Sequence, residues 1–232
     1  MQEGTAHRSI VRAALALLAL GAFAAILAGC GGGDSGTSSS SSDSTATTAS
    51  GGCKEVEAPP AKQVSLKAPP QTVKKGETLT AVVQTSCGTF DIALDSTRAP
   101  KTVNSFAYLA EEGFYDDLTF HRIAPGFVIQ GGDPLGTGGG GPGYHVDEAP
   151  PANLAYTKGT VAMAKTEVDP PGRSGSQFYV VTAADAGLPP EYALVGKVSK
   201  GYDVVEKIEA LGTPQETPKQ PVLIEKMTIE KG

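Results

Sequence analysis

The sequence predicts a mainly β domain over residues 78–232, a closed barrel or sandwich with two helices. Three observations carry the prediction. Short runs of alternating or β-branched residues recur, Gly and Pro turns separate them, and only two stretches show helical spacing. A parallel βαβ sheet would need a helix between most pairs of strands, and that alternation is missing.

Leu79-Thr80-Ala81-Val82-Val83-Gln84-Thr85 is β-rich, Ser86-Cys87-Gly88 marks a turn, and Thr89-Phe90-Asp91-Ile92-Ala93-Leu94 alternates like a half-buried strand. These two runs predict a hairpin. Pro100 then opens a helical pattern in which Val103, Phe106, Ala107, Leu109 and Ala110 recur until Gly113 stops it. Proline suits the first turn, where its missing N–H has no intrahelical partner anyway. A second helix is expected over 203–211, with Val204, Val205, Ile208 and Leu211 on one face and Gly212 as the stop. Further strands are expected around 119–123, 127–130, 160–164, 177–182, 193–198 and 222–230.

The 25 acidic and 19 basic side chains give a net charge of −6, which argues against a nucleic-acid partner, since such proteins carry a basic patch. Three histidines and three cysteines are scattered with no C-x₂₋₄-C pair, so no metal site is expected.

The N-terminus reads as a targeting segment. Arg8 and Arg12 precede a 15-residue apolar run, 13–27, short for a membrane span. It ends in Leu27-Ala28-Gly29-Cys30, which resembles the lipobox of bacterial lipoproteins. On that resemblance 1–29 is a signal peptide and Cys30 the lipidated N-terminus. The alternative is an uncleaved anchor helix; either way the rest of the chain lies outside the cytoplasm, tethered to a membrane. In the stretch 31–52, 18 of 22 residues are Gly, Ser or Thr, so 30–52 forms a linker that can build no core. Its root-mean-square reach is about 25 Å. The Pro- and Lys-rich extension 53–77 follows. In an oxidising compartment the remaining cysteines, Cys53 and Cys87, are expected to pair and staple that extension to the domain. Two buried free thiols are the alternative.

Several motif readings fail. The glycine-rich run 136–143 lacks the Lys-Ser/Thr of a phosphate loop and reads as a long surface loop. Gly172-Arg173-Ser174-Gly175-Ser176 has Ser where a nucleophile elbow needs Gly. His121 reads as a hydrogen-bonded structural histidine.

One run stands apart: Phe120-His121-Arg122-Ile123-Ala124-Pro125-Gly126-Phe127-Val128-Ile129-Gln130-Gly131-Gly132-Asp133. Then come Gly159-Thr160-Val161-Ala162-Met163-Ala164 and Gly175-Ser176-Gln177-Phe178-Tyr179. In order, these resemble the cyclophilin-type peptidyl-prolyl cis-trans isomerases over about 78–232. The resemblance implies a closed eight-stranded antiparallel barrel capped by two α-helices, and isomerisation of X–Pro bonds without cofactor. It implies catalytic roles for Arg122 and Gln130, and a proline pocket of Phe127, Val128, Met163, Tyr179 and Leu188. Ala164, Lys165 and Gln177 would flank the groove for the residues before proline. Some positions depart from the family's habit: Val128 for Met, Lys165 for Asn, Tyr179 for Phe, Tyr192 for the pocket His, Gly187 for Trp. The chain has no Trp at all, so weak sensitivity to cyclosporin is expected. Phe106, Phe120 and Phe178 are expected in ordinary core.

These residue types suit the chemistry. Amide resonance sets a barrier of about 20 kcal/mol to X–Pro rotation. In the twisted transition state the proline nitrogen recovers a lone pair, so a donor aimed there stabilises that state above the ground state. Arginine offers five fixed donors and a permanent charge. The expected partners are proline-containing polypeptides and, through the lipid, a membrane; a monomer is expected. Other readings are a proline-segment binding module with little turnover and a transporter's solute-binding lipoprotein. The latter needs a longer chain with strand–helix alternation.

Overall fold

The structure, a computed structural model, describes residues 52–232. The expected signal peptide, Cys30 with its expected lipidation, and all but the last residue of the linker lie outside the described residues. Among those described, the order is β1 (Leu79–Thr85), β2 (Gly88–Leu94), α1 (Pro100–Glu111), β3 (Leu118–Thr119), β4 (Arg122–Ala124) and β5 (Val128–Gly131). There follow β6 (Val146–Asp147), β7 (Thr160–Met163), β8 (Arg173–Ser174), β9 (Phe178–Val181), β10 (Leu194–Lys200), α2 (Tyr202–Glu209) and β11 (Leu223–Lys231). The hairpin, both helices and five of the six strand regions fall where the periodicities put them. The strand expected around 119–123 is instead two, β3 and β4, broken at Phe120 and His121, and β6 and β8, of two residues each, carry no period to read.

The closed eight-stranded barrel expected above needs correction. One curled antiparallel sheet of nine strands runs β3-β11-β1-β2-β10-β7-β9-β5-β4, and β6 pairs separately with β8. The two edge strands, β3 and β4, are separated only by Phe120 and His121. There the chain changes partner: Phe120 N–H goes to Val222 O and Ile123 N–H to Glu216 O. Both edges therefore lie on one stretch of chain, with no ladder between them. Register shifts in β1 against β11 and in β10 against both neighbours help the sheet to curl.

Inside the curl, Phe90, Phe106, Tyr115, Phe120 and Phe178 are fully buried, and Phe106, Tyr115 and Phe120 each set a ring against Phe178. Helix α1 packs on β10 and β11, and α2 on β2, β4 and β5. Helix α1 has no side-chain cap of its own. Glu148, just past β6, supplies one by accepting from Lys101 N–H, Thr102 N–H and the Thr102 hydroxyl.

The extension 53–77 packs on the domain. Cys53 and Cys87 form a disulfide, as expected, and both are buried. Asn104 on α1 holds the extension's far end: its Oδ1 accepts from Thr72 and Val73 N–H while its Nδ2 donates to Pro70 O. Between these anchors, Lys62 N–H bonds Pro134 O and Leu66 N–H bonds Pro142 O, bracketing the glycine-rich loop.

Candidate active site

Strand register assembles the site. Arg122 of β4 lies opposite Gln130 of β5, Gln130 opposite Tyr179 of β9, Tyr179 opposite Ala162 of β7. Directly opposed residues share a face, so this row projects to one side while Ile123, Ile129, Val180 and Val161 fill the core.

At the end of the row a cavity of about 210 Å³ is lined by Arg122, Phe127, Val128, Gln130, Ala164, Lys165, Tyr179, Leu188 and Tyr192. The structure thus brings together nearly all the residues singled out from the sequence. Met163 and Gln177 do not line it: strand alternation turns Ala162 and Ala164 toward the site side and sends Met163 into the core. Gln177 lies in a neighbouring cleft of about 410 Å³, which shares Gln130, Ala164 and Lys165 with the smaller cavity.

A chain of polar contacts crosses the rim. Arg122 Nε donates to Glu216 Oε2 at 2.6 Å, and Nη1 to Gln130 Oε1 at 3.2 Å. Gln130 Nε2 donates to Gln177 Oε1 at 3.0 Å, and Gln177 Nε2 reaches Gly138 O and Gly140 O, each at 2.9 Å. The loop is in turn gathered by Asp133, whose carboxylate accepts from Leu135, Thr137 and Gly138 N–H. Gly132 opens that loop at φ +82, with Ser176 O 2.6 Å from where a Cβ would sit, so only glycine fits. The Arg122 guanidinium carbon also stands 5.8 Å from the Phe127 ring centre.

The apolar wall is a cluster of tyrosines. Tyr156, Tyr179 and Tyr192 pack pairwise, with ring centres 5.8–6.4 Å apart. Tyr156 donates its hydroxyl proton to Tyr192 O and accepts from Tyr192 N–H, and burial pushes its pKa up to about 12. The Tyr179 hydroxyl is buried without a partner, and desolvation holds its pKa far above the ordinary phenol value. Tyr156 and Tyr179 therefore stay neutral at any working pH. Lys165, in the family's Asn position, is only 5% exposed. Its ammonium lies 3.3 Å from Glu191 Oε2 and 5.5 Å from the Tyr192 ring centre. Open space surrounds Gly187, the position of the family's Trp.

Sequence reasoning missed Glu216 and Tyr156. Glu216 is 94 residues from the arginine it holds, and neither residue falls in a motif, so no local signal marks them. The ring nitrogens of His121 are buried beside the Thr119 backbone. They make no full-strength hydrogen bond, and desolvation lowers the His121 pKa against the opposing pull of Asp133 and of the Thr119 backbone.

The family model described as "Cyclophilin type peptidyl-prolyl cis-trans isomerase/CLD" matches residues 80–229. The chain belongs to this family. Similar proteins include peptidyl-prolyl cis-trans isomerase B of Streptomyces anulatus, 38% identical over 174 residues, covering 66% of this chain and 98% of that one. Peptidyl-prolyl cis-trans isomerase-like 1 of Neurospora crassa is 38% identical over 138 residues, covering 58% and 83%. Among solved structures, a cyclophilin-type isomerase of Cryptosporidium parvum, crystallised in the presence of the dipeptide Ala-Pro, has a TM-score of 0.61. It is 29% identical to this chain, of which it covers 66%, and 99% of its own length is matched. This cyclophilin-type isomerase therefore has the mainly β fold of its family, with a curled antiparallel sheet and two helices. Its row of Arg122, Gln130 and Tyr179 lies within the matched region.

Proposed function

We propose that this isomerase turns X–Pro bonds in secreted or envelope proteins, working outside the cytoplasm from a lipid anchor on Cys30. The observation that carries the catalytic part is Arg122, a guanidinium held at two points beside a cavity with Phe127, Val128 and Leu188 in its wall. Proline's ring would sit against Phe127, Val128, Leu188 and the tyrosine wall. The Ala-Pro dipeptide present with the Cryptosporidium parvum relative supports a proline ligand for this pocket.

Arg122 commits one N–H to Glu216 and one to Gln130, which leaves the rest of its five donors for the substrate. As the bond twists and resonance fails, the imide nitrogen becomes an acceptor, and the guanidinium meets it with a charge-assisted hydrogen bond. One such bond contributes about 1.5–3 kcal/mol, or roughly one to two decades of rate. The remainder comes from holding the ring while the preceding carbonyl swings, with water excluded so that the bond strengthens. The step needs no general base, nucleophile or metal. One chain supplies every residue of the site, so a monomer suffices.

A proline-limited refolding assay tests the catalytic part. Arg122→Ala loses at least about tenfold in rate; an undiminished rate refutes the role of Arg122. For the location, the support is Leu27-Ala28-Gly29-Cys30 and a disulfide suited to an oxidising compartment. Cys30→Ser should release the protein from membranes or block its maturation. If that variant fractionates and migrates like the parent, the anchor is wrong.

A further inference from the structure

We infer that Glu216 is a positioning residue for the isomerase step, its carboxylate setting the plane of the Arg122 guanidinium at the proline pocket. The inference rests on Arg122 being the transition-state donor.

An arginine side chain that is 34% exposed has many rotamers available, and most of them point a donor at solvent. Gln130 restrains one end of the fork through Nη1 at 3.2 Å. A single neutral contact leaves the guanidinium free to swing about that point. Glu216 Oε2 on Nε at 2.6 Å provides the second fixed point, from the loop between α2 and β11. With Nε and Nη1 both held, the plane of the group is defined, and Nη2 makes no hydrogen bond to the described residues.

The backbone of Glu216 is built around this grip. Its φ is +62, in the left-handed region that side chains other than Gly and Asn disfavour. Its N–H bonds Thr213 O at 2.9 Å, and its carbonyl accepts from Ile123 N–H at 2.8 Å, the residue next to Arg122. Glu216 therefore holds β4 by main chain and Arg122 by side chain at once. Strain kept at the rim of a reactive cavity has a functional rather than a stabilising rationale. Half-exposed ion pairs add little to stability, and this carboxylate is 47% exposed. The contact matters for orientation, where a small misplacement of a reacting group is expensive in rate.

The test measures kcat and KM of the full-length protein on an X–Pro peptide, alongside the thermal midpoint. Glu216→Gly should lower kcat about tenfold with KM within about twofold. Its midpoint should hold or rise, because glycine relaxes the left-handed backbone. Glu216→Gln, which keeps an acceptor for Nε, should recover most of the rate. In an Arg122→Ala background, Glu216→Gly should change nothing further. Full activity of Glu216→Gly beside an impaired Arg122→Ala overturns the positioning role alone, as does an equal loss in both backgrounds. Wild-type activity of Arg122→Ala overturns the Arg122 assignment itself, and this inference with it.

Discussion

Gln130 of β5 and Gln177, the residue just before β9, join side chain to side chain, Nε2 to Oε1 at 3.0 Å. The direction is forced. Arginine can only donate, so Gln130 must offer its oxygen to Arg122 and its nitrogen to Gln177. Gln177 then has only its own amide nitrogen left for Gly138 O and Gly140 O. Gln177 thereby ties the glycine-rich loop to the amide that faces Arg122.

That polarity makes Gln177→Glu a sharp test. A carboxylate has no donor for Gly138 O and Gly140 O, so the loop is released, while Gln130 keeps its oxygen on Arg122 and still donates to the new carboxylate. Amide exchange across 135–141 should speed up. Protection unchanged from wild type there would show that the relay does not hold the loop.

Tyr179→Phe should stabilise the fold. The hydroxyl is buried and unpartnered, and an unsatisfied buried group costs about 1–3 kcal/mol. Urea unfolding should show a gain of about 1 kcal/mol; a loss would mean that the hydroxyl has a partner after all.

Glu148→Ala should cost about 1 kcal/mol by uncapping α1 from outside the helix. The loss should shrink with added salt if the helix dipole shares in it. Denaturant midpoints at low and high ionic strength check both statements.

The sign of the His121 effect follows from burial. Its folded-state pKa lies below the ordinary value of about 6.5, so the unfolded chain takes up the proton first. Stability is full above that value and declines as pH falls below it, until the folded-state pKa is reached. His121→Asn should flatten the unfolding midpoint between pH 7 and pH 5 relative to wild type.

Removing the staple should be expensive. The Cys53–Cys87 bond closes a loop with a sequence separation of 34, which corresponds to about 3–4 kcal/mol on a loop-entropy model. Cys53→Ser with Cys87→Ser, compared with the parent by urea unfolding, measures it directly. Cyclosporin inhibition should also be weak, since no indole stands where Gly187 leaves open space.

The sequence by itself determined the periodic elements, the hairpin, both helices and, through three ordered motifs, the row that carries Arg122, Gln130 and Tyr179. Period 2 and period 3.6 are local properties, and the motifs are contiguous, so both survive in a one-dimensional text. Tertiary structure alone decided the open, nine-stranded course of the sheet, the placing of Met163 in the core, and the Glu148 cap. It also decided the grip of Glu216 on Arg122. Each of these depends on which distant segments meet once the sheet curls, and hydrogen bonds between residues 46 or 94 positions apart leave no periodic trace along the chain.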